Sequence, residues 1–257
     1  MNTVFKSENY RLRKSKELWI MALILVGFQA VGAILGIVMA NIGSLVGDAG
    51  GAGAAESFVE SFIKAPSDPI FQLLFVAIAG SLIIKLYQSG AAKQLVSCGC
   101  KRGNVILGQF FSFTAAFSTV LFVSAAAAGA ATLINGGAFF PADFHVARLL
   151  MALVGMVLST ASLSALFLLV AHLTGSVPAT VFAGIGLLFG APFALMTLPD
   201  FLKPELIGKF LLTNLQQSAV DMTASTMKQL SGMGLLVLAI AALLVLSQCV
   251  FNRKEVK

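Results

Sequence analysis

The feature that most constrains this chain is a series of continuous apolar blocks that recur along its whole length. Each block holds about 20 residues or more, the length at which a helix crosses a ~30 Å hydrocarbon core. Because the blocks are continuous rather than alternating, they favour membrane helices over the strands of a membrane barrel. Only 11% of the 257 residues are charged, against about 25% in soluble domains. The sequence therefore predicts an all-α membrane protein, with one transmembrane domain over residues 1–257.

Six spans can be placed along the chain. They are predicted at about 18–42, 68–87, 104–134, 147–171, 178–198 and 231–251. Residues 1–17 are basic with apolar residues interleaved, which predicts an interfacial elbow helix, although a solvated tail remains an alternative. Residues 199–230 mix apolar and polar residues, which predicts re-entrant or interfacial helices between spans five and six. The alternative for that segment is an amphipathic surface loop.

The distribution of basic residues predicts the orientation of these spans. Twelve Lys and Arg residues lie on the side of both termini and of the loop at 88–103, and five lie on the opposite side. Loops rich in Lys and Arg stay in the cytoplasm, so we expect a multi-pass protein of the bacterial cell membrane with both termini cytoplasmic. This orientation accounts for the net charge of +6. No aromatic-basic patch indicates a nucleic-acid partner.

Several kinds of chemistry have no candidate residues. Asp68 is the first residue of the second predicted span, and no other Asp or Glu lies inside a span. This weakens an ion-coupled carrier and a membrane enzyme, since both usually need such groups. His145 and His172 lie at loop edges, and we expect them to be solvated or interfacial. Cys98 and Cys100 are expected to be reduced thiols, so no metal or cofactor is predicted in this chain. No phosphate-binding loop of the form Gly-x-x-x-x-Gly-Lys-Ser/Thr occurs in the sequence.

The segment from Lys85 to Gln109, between spans two and three, carries most of the functional information. Helix-forming residues at 91–96 lie between Gly90 and Gly99, and a Lys-Arg pair follows. This pattern predicts a short helix outside the bilayer. Such a helix can carry force from a soluble motor, or the segment can be a basic loop that only fixes topology.

The segment resembles the corresponding region of the permease subunits of type-2 ABC exporters. It shares with that family Gly90, Lys93, Leu95, Gly99, Arg102 and Gly108. It departs from the family pattern at Leu86 and Tyr87 in the acidic region, at Ala91 in place of Thr, and at Gln109 in place of Lys. The resemblance extends over nearly the whole chain through the basic N-terminus, the six spans and the long segment between spans five and six.

The resemblance implies a transport subunit, not itself an enzyme, whose coupling helix docks into a groove on an ABC ATP-binding subunit, two copies of which serve the transporter. ATP and Mg would be bound by that partner, and a second permease chain, identical or homologous, would complete a dimer. The coupling residues it implies are Gly90, Lys93, Gln94, Leu95, Ser97, Gly99, Lys101 and Arg102. The exported substrate would be amphipathic, with peptide export or immunity to peptides as an expectation. Two alternatives remain: an ATPase-independent secondary carrier or channel-like protein, and a membrane scaffold or sensor.

Two further groups of residues are candidates inside the spans. The small-residue motifs at Gly32, Gly36, Gly186 and Gly190 permit close helix approach, either between two permease chains or within one chain. The second group consists of amides that can line a substrate pathway or pair between helices, namely Gln29, Asn41, Gln72 and Gln109.

Overall fold

A computed structural model describes residues 2–46, 57–88, 97, 102–141, 145–196, 208, 211–221 and 226–253. Over these residues the chain is helical, and no strand occurs in them. The helices are α1 (Asn2–Lys14), α2 (Lys16–Val46), α3 (Phe58–Lys64), α4 (Pro69–Gln88), α5 (Arg102–Ile134), α6 (Val146–Thr174), α7 (Val177–Ile185), α8 (Ala191–Met196), α9 (Leu212–Val220) and α10 (Thr226–Arg253). A 3-10 turn at Ala65–Ser67 joins α3 to α4, and a π turn at Gly186–Gly190 joins α7 to α8.

The described helices have the length and composition of membrane spans. Four of them, over Lys16–Val38, Gly103–Ile134, Val146–Thr174 and Thr226–Arg253, are long and apolar enough to cross a bilayer. A fifth span results if Phe58–Ser67 and Pro69–Lys85, which meet at 43°, are counted together. The apolar helix over Val177–Gly190 is shorter. The predicted all-helical membrane protein is confirmed, whereas the predicted count of six spans is reached only in part.

The core of the bundle is built from aromatic side chains on α4, α5 and α6. Phe75 of α4 packs against Phe117 of α5 and Phe167 of α6, with ring centroids 4.2 Å and 5.7 Å apart. All three side chains are fully buried. Helix α5 lies at the centre of the arrangement, since it contacts α1, α2, α3, α6 and α10.

Helices α2 and α10 lie at the periphery. Only 17% of the most apolar window of each is buried within the chain. Leu23 on α2 and Leu238 on α10, for example, are 75% and 67% exposed. Apolar side chains exposed in this way are suited to contact lipid or another membrane helix, because neither surface requires polar groups.

The N-terminal segment forms the helix that the sequence predicts. Helix α1 packs on α5, with Leu12 fully buried and the Ser112 hydroxyl donating to the Phe5 carbonyl at 3.4 Å. The break at Ser15 separates α1 from α2, and the Trp19 indole N–H then donates back to the Arg13 carbonyl at 3.2 Å. These contacts fix the angle at which the chain enters its first long apolar helix.

Candidate functional site

The main candidate site outside the core is a cavity of about 1300 Å³. It is enclosed by α2, α3, the 3-10 turn, α5, α9 and α10. Its lining contains charged side chains of both signs, which are Glu60, Lys64, Asp68, Asp221 and Lys228. Polar and apolar residues both line the cavity, and concave sites that combine apolar surface with converging polar groups are where small molecules usually bind.

The cavity lies at the end of the bundle remote from the junction of α1 with α2 and from Arg253, where α10 ends. On α5 it is lined by residues from Ala128 to Asn135, at the end of the helix, and on α10 by residues from Lys228 to Leu235, at the beginning. On α2 its deepest lining residue is Gln29, which lies about 20 Å along the helix from Lys16 at 1.5 Å per residue. With the orientation expected from the basic residues, this is the outer half of the membrane.

Local sequence explains how the charged wall on α3 forms. Ser57 and Glu60 make a reciprocal capping box, in which the Glu60 N–H donates to the Ser57 hydroxyl at 3.2 Å and the Ser57 N–H donates to Glu60 Oε2 at 3.0 Å. The Phe58 N–H donates to the Ala138 carbonyl at 2.8 Å, so the start of α3 is tied to the segment that follows α5. The capping box therefore holds the Glu60 carboxylate against the first turn of α3, and Glu60 is one of the residues that line the cavity.

Asp68 lies just before α4 and connects that helix to α2. Its Oδ1 accepts the Ile70 N–H at 2.9 Å, which caps the start of α4. Its Oδ2 accepts a long hydrogen bond from Gln29 Nε2 at 3.4 Å. Because Gln29 belongs to α2, this contact connects the first apolar helix to the turn that precedes α4.

Helix α9 forms a third wall and is fixed by close packing on two sides. A Cβ placed on Gly155 of α6 would lie 2.5 Å from the Ala219 carbonyl oxygen, and one on Gly232 of α10 would lie 2.5 Å from Ser218 Oγ. The buried Gln216 amide donates to the Ser159 carbonyl at 3.2 Å and to Ser162 Oγ at 3.0 Å. The segment at 199–230 thus contains a packed helix, and the alternative of a surface loop is wrong for residues 212–220.

The four amides predicted from the sequence take different places. Gln29 lines the cavity. Gln72 is buried and donates to the Pro66 carbonyl at 3.2 Å, which supports the 3-10 turn next to the cavity. Gln109 is fully buried on α5. Asn41 lies in α2, and its side chain is outside the described residues. A pathway role stays a prediction for all four, and the structure does not gather them into one group.

The four predicted packing glycines differ in whether another residue lies close to them. A Cβ on Gly36 would lie 2.7 Å from Asn135 Nδ2, so this glycine permits a close approach between α2 and the end of α5 in the same chain. A Cβ on Gly32, Gly186 or Gly190 would meet nothing within 4 Å. Gly32 faces the cavity, whereas Gly186 and Gly190 belong to the π turn. Dimer packing at these positions stays a prediction.

The predicted coupling residues lie mainly outside the described residues. Gly90, Lys93, Gln94, Leu95, Gly99 and Lys101 are among those the structure does not describe. Ser97 is described as helical and exposed, and Arg102 is the first residue of α5. Just before this segment, Glu17 of α2 forms an ion pair with Lys85 of α4 and accepts the Ser81 hydroxyl at 2.7 Å. These contacts hold α2 and α4 together on the side from which the segment emerges.

Helix α1 contains a buried carboxylate close to the same end of the bundle. The Glu8 side chain is 4% exposed and forms an ion pair with Arg11 at 3.0 Å. Burial raises the pKa of Glu8 above its ordinary value of 4.5, and the nearby Arg11 guanidinium partly opposes that shift. Glu8 in the docked helix is therefore protonated more readily than a solvated glutamate.

One prediction about histidine is wrong. His172 was expected to be solvated or interfacial, but it is 3% exposed, and its Nδ1 lies 2.6 Å from Ser247 Oγ. The His172 ring also packs against Phe251, with centroids 5.4 Å apart. The last turns of α6 and α10 meet here, so the side chain is covered by a helix that is distant in sequence. His145, by contrast, is exposed.

Sequence reasoning did not single out the charged residues of the cavity. None of the five was predicted as a site residue, yet all of them line one cavity, namely Glu60, Lys64, Asp68, Asp221 and Lys228. One feature of the sequence could have indicated that these residues lie close together. All five are in or beside segments predicted to be on the outer side of the membrane. No protein-family model matches the chain, and no curated protein matches it at a significant level.

Proposed function

We propose that this chain is the membrane subunit of an ATP-driven exporter of the type-2 ABC class, which expels an amphipathic substrate. The observation that carries the proposal is the segment from Lys85 to Gln109, which resembles the coupling region of that family. ATP hydrolysis would occur on two partner subunits that bind ATP and Mg. Two copies of the membrane subunit, or this chain and a homologue, would form the transport unit in a bacterial cell membrane.

The described residues around this segment support a mechanical role. Helix α5 begins at Arg102, next to the segment, and contacts α1, α2 and α3. The Glu17–Lys85 ion pair joins α2 to the end of α4. A pull on the segment would therefore act on α5 directly and on α2 through the ion pair. Both α2 and α5 line the cavity at the other end. In an exporter, such a connection would couple ATP binding on the partner subunits to a change of access at the cavity.

The test is co-purification of the chain with an ABC ATP-binding subunit, sought first among the genes that neighbour its own, followed by an ATPase assay and export in vesicles. Leu95→Asp, in the coupling segment, should abolish assembly or uncouple ATP hydrolysis from export. Arg253→Ala is a matched control, because Arg253 is exposed at the same end of the bundle and lies outside the segment. If Leu95→Asp leaves both assembly and ATP-driven export unchanged, the coupling role is wrong.

A secondary carrier is the second candidate, and one observation favours it. The Asp68 carboxylate lies in the cavity and accepts from Gln29 of a membrane-spanning helix. Carboxylates at such positions serve ion coupling in carriers. Transport that needs a proton or sodium gradient, proceeds without any ATPase and is lost in Asp68→Asn would favour the carrier over the exporter.

A further inference from the structure

The cavity at the remote end of the bundle has two walls of different character. The wall formed by α2 and α5 presents small apolar residues, among them Gly32, Ala33, Ala128 and Ala131. The wall formed by α3, the 3-10 turn, α9 and α10 carries the charged side chains, with Glu60 and Lys228 as examples. The cavity is therefore amphipathic, with space along an apolar surface and charges of both signs beside it.

The depth of the apolar wall limits what can lie against it. Gln29 and Ala33 are about 20–26 Å from Lys16 along α2, which places them within a ~30 Å hydrocarbon core that begins near Lys16. A peptide at this depth would need partners for its backbone N–H and C=O groups. The polar side chains on this wall are Gln29, Thr132 and Asn135. Gln29 already donates to Asp68, and the Thr132 hydroxyl donates to the Gly129 carbonyl at 2.7 Å. An acyl chain needs no such partners, so the wall suits a lipid tail.

The charged wall suits a headgroup that has both an ammonium and an anionic group. The carboxylates of Glu60, Asp68 and Asp221 can accept hydrogen bonds from a primary ammonium, and the side chains of Lys64 and Lys228 can donate to a phosphate. Lys64, Asp221 and Lys228 also have interactions within the chain, which a headgroup would share. A primary ammonium donates hydrogen bonds, whereas a trimethylated one cannot, so the lining distinguishes ethanolamine from choline.

Contacts within the chain hold the cavity walls in place. The capping box holds α3, and close packing against Gly155 and Gly232 together with the buried amide of Gln216 holds α9. Pre-formed walls reduce the ordering cost of binding. This rigidity is expected of a site that retains a ligand rather than of a transient opening.

We propose that this cavity is a binding site for one phospholipid with a phosphoethanolamine headgroup, whose acyl chain lies along α2 and α5. The site lies within a single chain and goes beyond the exporter assignment, because it requires neither an ATPase nor a second permease chain. Its failure and the failure of the exporter proposal are therefore separately observable. An amphipathic peptide is the competing occupant.

The test is lipid retention by the full chain in nanodiscs that contain equal amounts of phosphatidylethanolamine, phosphatidylcholine and phosphatidylglycerol. Native mass spectrometry after release should find one phosphatidylethanolamine per chain. Because a choline headgroup forfeits the hydrogen bonds of the ammonium, we expect the ethanolamine lipid to be retained roughly fivefold over the choline lipid. Equal retention of the three lipids would overturn the proposal.

Two variants with matched controls locate the site. Ala131→Leu places a larger side chain on the apolar wall and should abolish retention, whereas Ala130→Leu changes the adjacent exposed residue of α5 and should not. Lys228→Gln removes a charge of the headgroup wall, and Lys16→Gln removes an exposed charge outside the cavity. If Ala131→Leu does not fold, as judged by its thermal midpoint, the Lys228→Gln pair decides.

Two outcomes would contradict the proposal at the level of the site. Unchanged retention of phosphatidylethanolamine in both folded cavity variants would place the lipid elsewhere. A dansylated amphipathic Lys/Leu peptide that binds in nanodiscs without ethanolamine lipid, and loses binding in Ala131→Leu, would reassign the cavity to a peptide.

Discussion

Replacement of Gly155 by alanine provides a direct test of the packing that fixes α9. The added Cβ would lie 2.5 Å from the Ala219 carbonyl oxygen, 3.1 Å from the Ala219 carbonyl carbon and 3.5 Å from Met233 Cε. Ordinary contacts of a Cβ begin near 3.4 Å, so α6 and α9 must separate by about 0.9 Å. The obstacle is backbone, and no change of side-chain rotamer relieves it.

The size of the effect follows from two opposing contributions. Overpacking of this kind typically costs about 1–3 kcal/mol, while replacing a glycine by alanine inside a helix contributes about 1 kcal/mol of stabilisation. Gly234→Ala on α10 supplies the second contribution alone, because a Cβ there meets nothing within 4 Å. The difference between the two variants is therefore the packing cost itself, about 1–3 kcal/mol in favour of Gly234→Ala.

The measurement is the thermal midpoint of both variants in a mild detergent, followed by far-ultraviolet circular dichroism. For a chain of this size, 1 kcal/mol corresponds to about 2–4 °C, so Gly155→Ala should unfold roughly 2–12 °C below Gly234→Ala. Equal midpoints, or a more stable Gly155→Ala, would refute the close packing of α9 on α6. Lipid retention should also fall in Gly155→Ala, since α9 is a wall of the cavity.

Three further predictions address other contacts. The unfolding free energy of the wild type should fall as pH rises from 4.5 through the raised pKa of Glu8, because the folded chain holds that proton more tightly, and Glu8→Gln should lack this component in thermal unfolding across pH. Gln216→Met should lower stability by about 1 kcal/mol, since two hydrogen bonds to α6 are lost at roughly 0.6 kcal/mol each. Gly186→Leu should dissociate a dimer that packs at the π turn without unfolding the chain, as measured by light scattering.

Each of these predictions has a control in the chain. Gln217 is adjacent to Gln216 but exposed, so Gln217→Met should leave the midpoint unchanged. Gly36→Leu should destabilise the chain itself, because Asn135 occupies the space, and it separates folding from association. A pH profile in Glu8→Gln that matches the wild type would assign the titration to another group. A dimer that persists in folded Gly186→Leu would exclude that glycine from the contact.

The long helices were predictable because their signal is local. The spans predicted at 104–134 and 147–171 correspond to α5 at Arg102–Ile134 and α6 at Val146–Thr174. An apolar run in a membrane protein needs only sufficient length to be recognised, and its ends are marked by polar residues. The amphipathic α1 was predictable for the same reason, since basic and apolar residues alternate along a single short segment.

The cavity and its supports were not predictable because they depend on residues distant in sequence. Gln216 is one polar residue in a mixed segment, and only its packing against Ser159 and Ser162 gives it a structural role. His172 follows a predicted span and has the pattern of a loop residue, yet α10 covers it. In both cases the deciding partner is more than 50 residues away, where a pattern of neighbouring residues carries no information.

Helix α5 gives these separate observations a common mechanical basis. Its 33 residues extend for about 50 Å, which exceeds a ~30 Å hydrocarbon core, so the helix reaches beyond the bilayer. It begins beside the proposed coupling segment and ends at the apolar wall of the cavity. Close packing transmits displacement, because a packed interior resists compression. A movement of the coupling segment would therefore reach the cavity through α5, and an occupant of the cavity would in turn bias the position of α5.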